Sequence, residues 1–267
     1  MKTNAIIIKT KKRIFGSLLG RNLSRFKGNG LDFKEFREYN FGEDAKKIDW
    51  KVSAKINKPL VKEYDEEREL RIIIAVLKSG SLYFGSRKLK SELVAEIISM
   101  LGLSALAEDN KIECIFLGKN KKIFKPTKNK KSIYAHVDYA LKTDYLKEDY
   151  TQEDIDFLNS FKKSLLFIIG DFFKPVNLYT LKHETYVINV RDEFEENPKF
   201  SGYTEVVDPV SFNTVNVNFN KTAIKKLKKH ISKTDTELQT QCKKHKIPYT
   251  KIYTHEDPIY KLIKLVR

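Results

Sequence analysis

RIIIAVLKSGS, residues 71–81, is the stretch of sequence that decides the fold. Its six consecutive apolar residues, 72–77, are rich in β-branched side chains and end at a Ser-Gly-Ser turn. This pattern predicts a strand buried on both faces, the kind that lies in the middle of a parallel sheet. Open α/β sheets bind ligands beyond the carboxyl ends of their central strands. The candidate binding residues are therefore Lys78, Ser79, Gly80 and Ser81, although serine and glycine also suit a simple turn.

The rest of the chain alternates strand and helix patterns. Apolar runs predict further strands at residues 111–117, 164–169, 184–190 and 249–253. Apolar residues at helical spacing predict a helix over 86–108, with Ser86 as its cap, and a basic helix over 220–244. Two polar, alternating segments around Asp208 and Pro209 predict a hairpin-like edge. We expect an α/β fold, a doubly wound and mostly parallel sheet, with an N-terminal aromatic and charged extension packed on it.

The net charge of +16 invites a nucleic-acid or anionic-membrane interpretation. Only nine of the 51 basic residues are arginine, however, and base-edge recognition favours arginine, so specific nucleic-acid binding is not expected. Lysines are dense over 119–131 and 220–244, which indicates either solvated surface or an anion-binding patch. Two cysteines and no apolar run long enough to span a bilayer favour a cytoplasmic protein.

Residues 30–64 combine aromatic and charged side chains more densely than an ordinary amphipathic helix does. One interpretation is structural: Trp50 and Phe33 bury apolar area, while Arg37 pairs with Asp44 or Asp49. The other is that this segment is a docking surface for a partner.

The same segment closely resembles the signature of the bacterial DUF58 family. The residues that carry the resemblance are Asp32, Phe33, Arg37, Tyr39, Gly42, Asp44, Asp49, Trp50 and Lys55. The chain departs mildly from the family pattern, because Glu43 replaces an aspartate and Lys47 and Lys55 replace arginines. The resemblance implies a signature segment over residues 1–68 and a von Willebrand factor A-like domain over 69–267.

Von Willebrand A domains of the metal-binding kind hold Mg²⁺ or Mn²⁺ with two serines, a threonine and aspartates. The resemblance places Ser79, Ser81 and Asp171 at ligand positions, with Thr127 as a candidate threonine. Leu77 stands where the first aspartate would be, so we expect a degenerate metal-ion-dependent adhesion site that is weak or empty. As an alternative, the Lys78 ammonium accepts a partner's carboxylate directly. On either interpretation, the predicted partner-binding residues are Lys78, Ser79, Gly80, Ser81 and Asp171.

Catalytic motifs are missing from the sequence, including a G-x-S-x-G elbow, a phosphate loop and an H-E-x-x-H pair. We therefore expect no enzymatic activity and no cofactor. The family resemblance implies a protein-interaction adaptor that works with a MoxR-type AAA+ ATPase on client proteins. The alternative function is binding of nucleic acid or another anionic surface through the two lysine-rich segments.

Overall fold

The computed structural model describes residues 2–13, 30–67, 71–199 and 201–266, and these residues form two compact units. We call residues 30–67 the signature unit. Residues 2–13 and everything described from 71 onward form the second unit, which we call the sheet unit. The first helix thus groups with the sheet, whereas the sequence analysis assigns residues 1–68 to one segment.

The strands, in chain order, are β1 (Gly30–Glu38), β2 (Leu60–Glu67), β3 (Arg71–Leu77), β4 (Lys111–Leu117), β5 (Lys122–Thr127), β6 (Leu165–Gly170), β7 (Glu184–Arg191), β8 (Gly202–Val207), β9 (Thr214–Phe219) and β10 (Tyr249–Tyr253). The helices are α1 (Lys2–Arg13), α2 (Trp50–Ile56), α3 (Lys90–Ala107), α4 (Lys130–Lys142), α5 (Gln152–Phe157), α6 (Glu193–Glu196), α7 (Lys221–Lys244) and α8 (Pro258–Val266). Within the described ranges, the helices all fall short of the length and apolar character that a bilayer span requires.

The central sheet has six strands in the order β10-β7-β6-β3-β4-β5. Every neighbouring pair is parallel except β4 and β5, which are antiparallel. The predicted α/β fold with a mostly parallel sheet is therefore confirmed. The prediction of a buried central strand is also confirmed, because residues 72–77 of β3 are fully buried.

Helices cover both faces of this sheet. On one face, Ile73 and Leu77 of β3 belong to the same apolar cluster as Leu238 of α7. On the other face, the ring of Phe116 in β4 lies 4.7 Å from that of Tyr139 in α4. Apolar residues pack on two sides of each central strand, which explains why the strand sequences are apolar runs rather than alternating patterns.

Helix α3 begins four residues later than the sequence predicts, at Lys90 instead of Ser86. Ser86 does not cap the helix: its backbone N–H and its hydroxyl lie 2.9 and 3.0 Å from Asp192 Oδ2. Leu89, the residue before Lys90, occupies the N-cap position of α3 and makes no side-chain hydrogen bond there. Ser86 binds Asp192, which is distant in the chain, so the sequence around Ser86 does not reveal this contact.

The predicted hairpin exists, but it is not an edge of the central sheet. Strands β8 and β9 pair only with each other among the described residues, from Gly202 opposite Phe219 to Val207 opposite Thr214. Its turn contacts the segment between α4 and α5, because the Lys147 N–H donates to the Pro209 carbonyl at 2.9 Å.

The signature unit is an antiparallel pair, β1 and β2, with helix α2 in the connection between them. A bridge between Ile48 and Val61 and a hydrogen bond from Asp49 N–H to the Leu60 carbonyl at 2.9 Å tie this connection to β2. Ile48, Leu60 and Val61 are buried. The unit therefore has a small apolar centre of its own.

Candidate functional site

The order of the central strands reverses between β3 and β6. The chain continues from β3 to β4 on one side, and from β6 to β7 on the other. Open α/β sheets have a crevice at this switch point, outside the carboxyl ends of the two strands. The residues that directly follow β3 and β6 therefore meet at one edge, which we call the carboxyl edge.

Ser79, Ser81 and Asp171 lie together at the carboxyl edge. Ser79 Oγ is 3.1 Å from Asp171 Oδ2 and 3.2 Å from Ser81 Oγ. Ser79 also caps the short 3-10 helix Gly80–Tyr83 by accepting the Ser81 N–H at 3.2 Å. The serine pair thus has both a local role in the turn and a contact with the neighbouring strand.

Lys90, which is not among the predicted site residues, completes this cluster. Lys90 is the first residue of α3, and its side chain is fully buried. Its ammonium nitrogen lies 2.6 Å from Glu195 Oε1, 3.2 Å from Ser81 Oγ and 3.9 Å from Asp171 Oδ2. The same nitrogen is 5.0 Å from the centre of the Phe173 ring. A positive charge therefore stands among the oxygens of the carboxyl edge.

Two acidic residues after β7 respond differently to burial at this edge. Burial raises the pKa of Glu195 above its ordinary value, although the Lys90 ammonium acts in the opposite direction. Burial also acts to raise the pKa of Asp192, but hydrogen bonds from Thr254 and Ser86 outweigh it, and the pKa is lowered. Asp192 is thereby held as a carboxylate that joins three segments of the chain.

Lys78 lies inside the protein instead of presenting its ammonium at the surface. The residue is 1% exposed, its ammonium lies 2.9 Å from Glu148 Oε1, and it also donates to the Asn120 carbonyl. A buried ammonium requires such a partner. This geometry disagrees with the hypothesis that Lys78 accepts a carboxylate from another protein.

The loop between the two serines is covered by other parts of the chain. The Gly80 N–H donates to the Glu148 carbonyl at 3.0 Å. A Cβ atom added to Gly80 would lie 2.8 Å from Cβ and from the carbonyl oxygen of Pro209, in the turn between β8 and β9. Glycine is needed here because the hairpin turn approaches the backbone closely. Of the predicted partner-binding residues, only Ser81 is partly exposed.

The side chains at the carboxyl edge do not fit a divalent metal ion. Mg²⁺ and Mn²⁺ bind to six or so oxygen ligands and need negative charge around them. Here the Lys90 ammonium already lies among the oxygens and would repel a second cation. Leu77, at the position of the missing aspartate, is a fully buried core residue. In the described ranges there is no cluster of three or more histidine, cysteine or acidic side chains suited to a metal.

The candidate threonine is at the wrong end of the sheet. Thr127 pairs with Ile112 near the start of β4, whereas Ser79 follows the end of β3. Its hydroxyl accepts the Asn129 N–H at 3.0 Å, just before α4 begins. Thr127 therefore has a turn-forming role, and its assignment to the site is wrong.

The signature residues order one turn of the signature unit. The Arg37 guanidinium lies 2.9 Å from Glu43 Oε2, and the Tyr39 hydroxyl donates to the Glu43 carbonyl at 2.7 Å. Between them, Gly42 has a φ of +105°, which other residues rarely adopt. The carboxylate expected for Arg37 was Asp44 or Asp49, but the structure gives it Glu43.

The two aspartates instead cap helical turns. Asp44 accepts the Lys46 N–H at 3.0 Å, and Asp49 accepts the N–H groups of Lys51 and Val52 at 3.1 and 3.2 Å. Asp49 also pairs with Lys62. The hydrogen bond from Lys62 is the largest reason that the pKa of Asp49 is lowered.

Trp50 is 67% exposed, so the expectation that it buries apolar area is wrong. Phe41 is fully exposed, and Lys55 is exposed as well. Asp32 and Phe33 belong to β1, but their side chains lie outside the described part of the structure. The turn therefore holds its polar residues in internal contacts and leaves large aromatic side chains exposed.

Sequence reasoning missed Lys90, Glu195 and Glu148. From sequence alone, a lysine at the start of a helix is expected to be an ordinary surface residue. One signal was nevertheless available, because the helix that follows a central strand begins at the carboxyl end of that strand. A charged residue in its first turn is therefore placed beside the loop that follows the strand.

The family model described as "Protein of unknown function DUF58" matches residues 35–237. The chain therefore belongs to the DUF58 family. The match includes both the turn that orders the signature unit and the carboxyl edge of the sheet. The family membership that the resemblance in residues 30–64 predicts is confirmed.

Several individual proteins are similar over parts of the chain. Uncharacterized proteins of Mycobacterium bovis and Mycobacterium tuberculosis are each 36% identical to it over 76 residues, 28% of this chain. The match spans only 24% of each of these curated relatives.

Two solved structures are more distant. The conserved hypothetical protein BatB from Bacteroides thetaiotaomicron has 13% identity and a TM-score of 0.45, over 74% of this chain and 97% of its own. An aerotolerance-related membrane protein from Bacteroides fragilis has 12% identity and a TM-score of 0.43, over 74% and 98%. These values are too low to transfer a fold name or a function.

Proposed function

We propose that the protein is a non-enzymatic adaptor that binds other proteins and works with a MoxR-type AAA+ ATPase in the assembly or maturation of client proteins. The observation that carries this proposal is the exposure of Trp50 and Phe41 in the signature unit. Both residues lie within the family match. Tryptophan and phenylalanine are enriched in protein interfaces, and tryptophan often supplies a large share of the binding energy.

Charge on the signature unit supports a partner with an acidic surface. The exposed basic side chains near the two aromatic residues in sequence are Lys46, Lys47, Lys51 and Lys55. Complementary charge accelerates association and selects among partners. We therefore propose that the ATPase presents carboxylates around an apolar pocket that accepts Trp50.

We further propose that the sheet unit is a von Willebrand factor A-like domain whose metal-ion-dependent adhesion site is degenerate. Support comes from the strand order and from the contact of Ser79 with Asp171 at the switch point. The contact of Lys90 with the same cluster supports the degenerate character of the site. In this proposal the carboxyl edge stabilises the domain, and the signature unit binds the partner.

The proposal includes a cytoplasmic location and no catalytic role. Cys114 and Cys242 are free and buried, which suits a reducing compartment. Burial raises the pKa of the Cys114 thiol and raises that of Cys242 to about 12, so neither is a ready nucleophile at neutral pH.

A direct binding measurement tests the adaptor proposal. The purified full chain is titrated with a purified MoxR-type ATPase from the same genome, with and without ATP, and the dissociation constant is measured calorimetrically. We expect Trp50→Ala to weaken binding at least tenfold, because interface tryptophans commonly contribute about 2 kcal/mol or more. Tyr260→Ala is the matched control, since Tyr260 is 76% exposed in the sheet unit.

The outcomes separate clearly. Unchanged affinity for Trp50→Ala, or an equal loss for both variants, would contradict the role of the signature unit. Failure of the wild-type chain to bind the ATPase in either nucleotide state would contradict the proposed partnership itself.

A second candidate function, binding of nucleic acid or another polyanion, is favoured by one feature of α7. The first 13 residues of this helix carry six exposed lysines, Lys221, Lys225, Lys226, Lys228, Lys229 and Lys233. Binding to a single strand through six phosphate contacts would weaken about 300-fold between 50 and 200 mM salt. A salt titration with single-stranded RNA as the probe measures this, and an affinity that is independent of salt would exclude it.

A further inference from the structure

The Lys90 ammonium lies among oxygen atoms that come from three separate parts of the sheet unit. The hydroxyls belong to Ser79 and Ser81 after β3, and the carboxylates belong to Asp171 after β6 and Glu195 in α6. The lysine itself arrives from the first turn of α3. One cation therefore joins the segments that follow three neighbouring strands.

Burial makes this cation a fixed part of the fold. Lys90 is fully buried and Asp171 is 1% exposed, so neither charge is stabilised by bulk water. The unfavourable desolvation of a buried ion must be offset by paired charges and hydrogen bonds. The contacts at 2.6 and 3.2 Å, to Glu195 and Ser81, provide these.

Removing the ammonium would leave a cavity with a particular chemistry. Two carboxylates and the Ser81 hydroxyl would face the space that the ammonium leaves, and the Ser79 hydroxyl lies beside them, 3.1 Å from Asp171. These are hard oxygen donors with a combined charge of −2, the ligand type that Mg²⁺ and Mn²⁺ prefer. The truncated side chain would also make room for one or two water ligands.

We propose that Lys90 is an internal replacement for a divalent cation at the carboxyl edge, and that loss of its ammonium creates a Mn²⁺ or Mg²⁺ site formed by Asp171, Glu195, Ser79 and Ser81. The wild-type edge is consequently independent of metal. This inference goes beyond the adaptor function and does not depend on any partner. The experiments that test the inference and the adaptor proposal are therefore independent.

Mn²⁺ binding to the full chain tests the inference. Free Mn²⁺ is measured by electron paramagnetic resonance, and thermal unfolding is followed with and without the metal. We expect Lys90→Ala to bind one equivalent of Mn²⁺ at least tenfold more tightly than wild type and to gain thermal stability from it. The double variant Lys90→Ala/Asp171→Asn should lose both effects.

Lys88→Ala is the matched control for a general change in charge. Lys88 is two residues away and pairs with Glu96 at 2.6 Å, so its removal leaves this carboxylate with only the longer contact to Lys9, at 3.8 Å. We expect Lys88→Ala to bind Mn²⁺ no better than wild type. An equal gain in both variants would overturn the inference.

Other outcomes also decide the question. Tight binding of Mn²⁺ to wild type that is lost in Asp171→Asn would overturn the inference, because the ammonium would not exclude the metal. So would a folded Lys90→Ala variant without Mn²⁺ binding, or with binding that survives Asp171→Asn. If Lys90→Ala is unfolded without metal, recovery of cooperative unfolding in Mn²⁺ supports the inference, and failure to recover overturns it.

Discussion

The carboxyl edge and the signature unit use charged residues in opposite ways. At the edge and in the strand beside it, three basic side chains are fully buried and each is paired with a carboxylate. The pairs are Lys78–Glu148 at 2.9 Å, Lys90–Glu195 at 2.6 Å and Arg191–Asp235 at 2.7 Å. In the signature unit the ion pairs stay near the surface, as Arg37–Glu43 does, and the aspartates cap turns.

The pKa values reflect the same difference. Burial raises the pKa of Glu195, whereas the hydrogen bond from Arg37 lowers the pKa of Glu43. The edge therefore behaves as protein interior, where each charge depends on its partner. The signature unit keeps its charges solvated and leaves Trp50 exposed. This contrast is why we assign partner binding to the signature unit.

Breaking a buried pair should have the largest effect on stability. Glu148→Gln removes the counter-charge of Lys78 and leaves a buried ammonium uncompensated. We expect a loss of about 3–5 kcal/mol in the free energy of unfolding. Urea denaturation followed by far-ultraviolet circular dichroism measures it at pH 7.

The matched control lies in the signature unit. Glu38→Gln breaks the exposed pair with Lys58, in which both side chains are more than half exposed. We expect little change, because exposed pairs are solvated and screened. Similar losses for the two variants would contradict the contrast between the regions.

Lowering the pH should destabilise the sheet unit through a histidine. His136 is buried, and burial lowers its pKa to about 4 from an ordinary value near 6.5. The unfolded chain therefore takes up a proton between pH 6.5 and 4 that the folded chain does not. The stability that the neutral ring provides is present above pH 6.5 and is lost as the pH falls.

Between pH 7 and 5, protonation of His136 in the unfolded chain lowers the free energy of unfolding by about 2 kcal/mol. His136→Leu should remove that part of the pH dependence, while the contribution of His183, whose pKa burial also lowers, remains. The signature unit contains no histidine, so residues 30–67 should show no such change in amide exchange. Equal pH dependence in wild type and His136→Leu would contradict this account.

Patterns of apolar residues predicted the sheet well. The run at residues 72–77 gave the central strand, and residues 111–117 gave β4 with its observed bounds. Such runs are informative because a strand buried on both faces accommodates few polar residues. The strand-end rule placed the serine pair at the carboxyl edge, and the family resemblance grouped Asp171 with it. The structure brings Ser79 and Asp171 into contact.

The failures share a physical cause. Trp50 and Ser86 were interpreted from their residue type, as core and cap, and Lys90 was given no role. The structure places them by long-range contacts: Ser86 binds Asp192, Lys90 binds Glu195, and Trp50 is left exposed. Residue type sets what a side chain can do, but the partner comes from packing across more than 100 positions for both Ser86 and Lys90.

A pair of serine substitutions provides the finest test of the same contrast. Ser53 of α2 accepts the Leu60 N–H at 2.8 Å, so Ser53→Ala leaves that N–H without its partner. We expect a loss of about 1 kcal/mol, measured by faster amide exchange in β2. Ser99 of α3 is buried, and its hydroxyl contacts no hydrogen-bond partner within the described ranges. Ser99→Ala should therefore be neutral or stabilising, and equal losses at the two serines would show that their hydrogen bonding does not govern the outcome.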